Sequence, residues 1–209
     1  METLIMHRVR DMRSFLATLL AALSIPAAHA HSLTIEKGDY YVGETVIQWE
    51  VATAHARIRA ADVGQPGAIF VGATTDRGRM MTFSENRWVP FSAGTVAPAV
   101  VFDALPGSHS LVVFNSRDIG RYGRPIYDTG LTGQTLCDAA LALGTSRFAI
   151  AVGYGVLDER AEATIERAQS VGSALDVDHI RLAFVNSDMM QNKKWNEVYR
   201  VECAREGGG

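Results

Sequence analysis

Cysteine is scarce in this chain, with two residues in 209, and Cys137 and Cys203 lie too far apart for a CxxC. That scarcity excludes the paired-cysteine zinc and thiol-redox motifs. Histidine is sparse too, at six residues, and no HExxH or i, i+4 histidine pair occurs. No GxGxxG or GxxxxGK[ST] sequence is present, which removes the common nucleotide cradles. Lys and Arg form no cluster with interleaved aromatics, and they number 20 against 23 Asp and Glu, so polynucleotide partners are excluded. Long apolar runs are missing after the first thirty residues, so a mature chain carries no membrane-spanning helix.

The N-terminus has the three parts of a secretory signal. Arg8, Arg10 and Arg13 form a basic segment, Phe15 to Ile25 an apolar run, and Ala28-His29-Ala30 a small-residue ending. The run falls short of the roughly 20 residues that span a bilayer. Cleavage after Ala30 leaves His31 first and a mature net charge of −4, from 17 basic and 21 acidic residues. The address is the periplasm, the cell surface or the exterior. An even cysteine count in an oxidising compartment reads as a disulfide, Cys137 to Cys203, the alternative being two buried free thiols. Closing so long a loop stabilises a fold by about 4 kcal/mol in the chain-entropy picture.

The composition that remains predicts a mainly β protein with an α+β C-terminal part, an antiparallel β-sandwich or meander plus one or two helices. Residues 31–133 read as a β-rich domain, 134–206 as a disulfide-closed α+β unit packed on it, and 207–209 as a disordered tail. Leu33 and Ile35 alternate with polar neighbours, turns fall at Gly38-Asp39 and Gly43-Glu44, and Trp49 is expected as a core anchor. Ala52 to Ala61 fits either a short helix or a strand. Ala68-Ile69-Phe70-Val71 and Met80-Met81-Thr82-Phe83 flank Asp76-Arg77-Gly78 as a hairpin. Pro90 cannot donate to a ladder, so its strand lies at an edge or ends there. Ala99 to Phe102 and Ser110 to Phe114 flank Leu105-Pro106-Gly107-Ser108 as a strand-turn-strand arrangement. The cadence of Gly67 to Leu111 is similar to that of Ig-like and other β-sandwich modules, which implies the fold and no functional residue. Beyond Arg147 to Val156, a central strand, helices are expected over Ala161 to Val171, capped by Asp158 or Glu159, and over Asp176 to Val185. Glu197 to Cys203 is the closing strand.

Three functional readings compete. The first is an exported, non-enzymatic binding or accessory module for a protein or glycan partner, without a cofactor. Its contact residues are Tyr122, Arg124 and Tyr127 in the glycine-rich connection 115–133, and Lys193, Lys194 and Trp195, which combine flexible cations with an aromatic. The second is a copper protein, in which the free α-amine and imidazole of His31 chelate the ion together with His55, His109 or His179. The third is a hydrolase with a cleft at 115–133. The pair Ser108-His109 is adjacent in sequence and the GxSxG pattern is unmet, so no catalytic residue is assigned. Asp176-Val177-Asp178 lacks the glycine and glutamate of a calcium loop. The glycines of Gly153-Tyr154-Gly155 are read as permitting a bend, and Met189 and Met190 as core filling.

Overall fold

A computed structural model of the chain describes residues 30–91, 95–118, 129–170 and 176–203. Nine strands form two antiparallel sheets. The smaller joins β1 (Ser32–Val42), β2 (Thr45–Arg57) and β7 (Ser108–Asn115) in the order β1-β2-β7. The larger runs β5 (Arg87–Pro90), β4 (Met80–Ser84), β3 (Gly67–Thr75), β8 (Arg147–Val156), β9 (Trp195–Glu202), with β6 (Val100–Phe102) on β3 beside β4. Among the described residues there are three α-helices, α1 (Leu136–Ala142), α2 (Glu159–Ser170) and α3 (Val177–Gln191). None among the described residues is long and apolar enough to cross a membrane.

The sheets share one core. From β2 come Ala52, Ala54 and Ala56, small side chains that meet Phe148, Ile150, Val152 and Tyr154 from β8. Small against large lets the layers interdigitate, so the alanine-rich stretch is strand as far as Arg57, with period two carried by alanine, and ends in a single 3-10 turn, Ala60–Asp62. The other face of the larger sheet is covered by α2 and α3, where Ala68 and Phe70 meet Ile165, Val185 and Met189. β3 is therefore buried on both faces, which its unbroken apolar run requires. β8 pairs with β3 at nine positions, so the segment between the cysteines supplies the middle of the larger sheet.

Local chemistry sets the ends. Gly78, at φ 73°, turns the β3–β4 hairpin, and Glu85 and Asn86, at φ 52° and 62°, turn β4 into β5. Asp158 accepts the Ala161 N–H and starts α2. Thr135 and Asp138 make a reciprocal capping box on α1, a helix the hydrophobic spacing did not announce. The disulfide Cys137–Cys203 ties α1 to the end of β9.

Three expectations change. Gly38-Asp39 is no turn, because β1 runs straight through it, and the Trp49 indole occupies the space a Gly38 side chain would need. Trp49 itself is half-buried with Arg117 over its ring at 5.4 Å, while the core indole is Trp88, donating to the Val113 carbonyl at 2.7 Å. β6 and β7 do not pair with each other, since β6 joins β3 and β7 joins β2.

Candidate functional site

Two places gather chemistry. The first is a buried ionic cluster below β8. The C-terminal end of α3 turns through Lys193, at φ 52°, and drives Lys194 inward, where it is 4% exposed. Its ammonium reaches Asp188 Oδ2 at 2.8 Å and Asp62 Oδ2 at 3.0 Å and lies 5.1 Å from the Tyr154 ring centre. The Tyr154 hydroxyl donates to Asp62 Oδ2 at 2.7 Å and accepts the Arg59 N–H at 2.9 Å. Burial, reinforced by the bond to Asp62, pushes this hydroxyl well above the ordinary tyrosine range. Asp188 also takes the Val156 N–H at 2.8 Å.

His31 closes the cluster. Arg57 N–H donates to its Nδ1 at 3.1 Å, so the proton resides on Nε2, which donates to the Lys194 carbonyl at 3.1 Å. Burial, opposed by the bond to Lys194 and aided by Arg59, lowers its basicity. Every charge here is tied to another, and no buried side-chain polar atom among the described residues lacks a partner. This arrangement holds β1, β2, β8 and α3 together.

The sequence-named residues separate. The structure brings His31 and Lys194 into contact; Lys194 is unavailable to an outside partner, and Lys193 is exposed beside it. Trp195 lies on a shelf made by Gly72 and Gly153, next to Met189. Tyr122, Arg124 and Tyr127 lie outside the described residues, as do residues 1–29 of the expected signal peptide and the tail 207–209. The Nδ1 nitrogen that a copper chelate at His31 would use accepts the Arg57 N–H. Nor do the other histidines converge there: His55 lies between Thr34 and Ser110, His109 against Phe102, and His179 is exposed on α3. Among the described residues no group of three or more metal-binding side chains assembles.

Sequence reasoning missed one serine–histidine contact, Ser110 Oγ to His55 Nδ1 at 2.8 Å, made across β2 and β7 rather than along the chain. It sits on the outer face of the smaller sheet, where His55 Nε2 also meets Thr34 Oγ1 at 2.9 Å.

The second place is a cleft of about 680 Å3 between β6 and the two long helices. Ala68, Leu157, Leu182 and Val185 line its interior, and Val101, 68% exposed, forms a lip with Phe102. Three carboxylates, Asp103, Glu162 and Asp178, stand at the rim against one guanidinium, Arg181, which pairs with Glu162 at 3.4 Å. Asn186 fixes one wall by exchanging hydrogen bonds with both the N–H and the carbonyl of Val96. No amino-acid spacing announced this cleft, because its lining comes from β3, β6, α2 and α3.

Comparison with known proteins returns no matching family model, no matching curated protein and no matching solved structure. The molecule is thus described by its class, a mainly β, α+β protein with two antiparallel sheets and one disulfide.

Proposed function

We propose that this chain is an exported binding or accessory module that holds a segment of a protein partner in the cleft between β6, α2 and α3. The composition of the cleft carries the reading. An apolar trough with a surplus of carboxylates at its lip complements a peptide that alternates apolar side chains with Lys or Arg. Aliphatic walls suit such a segment better than a glycan, whose hydroxyls require a dense set of polar partners. Export is supported by the three-part leader and by the disulfide, a bond that persists in oxidising compartments.

The test is equilibrium binding of fluorescent peptides to the oxidised protein, comparing a leucine–lysine peptide with a leucine–glutamate peptide, alongside a glycan array. The basic peptide should bind, more weakly as salt rises, and Asp103→Lys with Asp178→Lys should weaken it about tenfold. Equal binding of the acidic peptide, or indifference to the charge reversal, rejects the cleft as the site. Binding to glycans alone replaces the partner class, and cleavage of the peptide restores the hydrolase reading.

A further inference from the structure

The smaller sheet ends on β1, eleven residues long, the longest edge strand among the described residues. An open edge is a template for another strand, and the other edges are blunted. β5 has four residues and ends in Pro90, β9 carries Glu197, Arg200 and Glu202, and the Val113 carbonyl of β7 takes the Trp88 indole N–H. β1 has no proline. At its hairpin tip Tyr41, Val42 and Val46 are 73%, 58% and 51% exposed.

The hairpin dictates which backbone groups face outward. Gly43-Glu44 is a two-residue connection with Gly43 at φ 61°, and such a turn closes on a hydrogen-bonded pair, here Val42 with Thr45. Bonded and non-bonded pairs alternate along an antiparallel ladder, so Gly38 and Tyr40 bond to β2 while Leu33, Ile35, Lys37, Asp39 and Tyr41 face outward. Among the described residues, no backbone group bonds to these five.

We propose that β1 pairs antiparallel with β1 of a second copy, about a two-fold axis between the two Gly38 residues, joining two three-stranded sheets into one of six strands. The charge pattern selects this register. Residues facing each other across such a pair share a sheet face, so the axis falls on a residue. On Glu36, Lys37 or Asp39 it sets like charges opposite one another. On Gly38 it sets Lys37 of each copy against Asp39 of the other, and Ile35 against Tyr41. Lys37 has three donors and reaches Glu50 with one at 2.7 Å, its side chain otherwise largely exposed. Gly38 carries no side chain on the axis, so the two Trp49 indoles, each lying over its own Gly38, meet across it. This inference does not rest on the cleft.

Sedimentation of the full oxidised chain from an exporting host, combined with amide hydrogen exchange, tests it. A dimer is expected, with slowed exchange at Ile35, Lys37 and Asp39. Asp39→Lys, a surface change that opposes two lysines at both contacts, should raise the dissociation constant about tenfold. Asp39→Pro removes one outward N–H per copy and no bond of the β1–β2 ladder, and should give a monomer whose circular dichroism matches the parent. A chain that stays monomeric when concentrated overturns the proposal, as does a dimer whose three amides exchange freely or that ignores both substitutions.

Discussion

At the scale of single residues, the decisive feature is the conversion of reactive-looking groups into fastenings. Lys194 and Tyr154 carry chemistry that elsewhere serves catalysis, yet each is held by Asp62, with Asp188 completing the ring around the ammonium. Replacing one partner would strand a buried charge, the costly outcome for such clusters. His31 gives a pH prediction. Its folded value lies below the ordinary 6.5, chiefly through burial, so on acidification the unfolded chain takes up the proton first. Its contribution to stability is therefore complete above about 6.5 and is lost as pH falls through the folded value. Glutamine can accept from Arg57 and donate to Lys194 without titrating. Denaturant unfolding on both sides of that pH should show a shallower acid loss for His31→Gln than for the parent. Parallel slopes would dismiss the histidine as a pH-sensitive fastening.

At the scale of elements, the helix layer depends on missing side chains. A Cβ on Gly155 would collide with the Val185 carbonyl, and one on Gly153 with the Trp195 ring and the Lys194 carbonyl. The sequence read these glycines as permitting a bend, but β8 runs through both as regular strand. What they make room for was not legible, because the colliding atoms lie 30 to 42 residues away and become neighbours only when α3 docks on β8 and β9 pairs with it. Gly155→Ala should cost about 1–3 kcal/mol, since the obstacle is backbone and the helix must shift. An unchanged denaturation midpoint would show that α3 is loosely held. The same distinction separates the two missed turns of phrase in the chain's pattern: Gly38 resembles a turn glycine until Trp49 is found over it, and Trp49 resembles a core anchor until Trp88 takes that place.

For the whole molecule, the disulfide joins α1 to the end of β9 and closes a loop spanning 66 positions that contains β8, α2 and α3. Removing it as Cys137→Ala with Cys203→Ala should lower stability by about 4 kcal/mol, most of it through the freed unfolded chain. Unfolding curves of the parent, oxidised and reduced, set beside the double variant check this. Coincidence of all three would show that the bridge restrains nothing. Because β8 lies in the middle of the larger sheet, the loss should register across the whole transition and not in one half of the molecule.

The sequence by itself determined the β-rich class, the positions of most strands, a helix cap at Asp158 or Glu159, the two long helices and the pairing of the only two cysteines. These are local properties: a period of two or of 3.6, a turn glycine, a capping carboxylate, a count of two. The tertiary structure alone decided that the alanines of β2 face the larger side chains of β8, that β6 and β7 part to different sheets, and that Lys194 turns inward to Asp62 and Asp188. It also decided where the cleft opens and which strand edge remains uncovered. Those outcomes depend on contacts between residues far apart in the chain, and burial, charge pairing and close approach become defined only once the layers have packed.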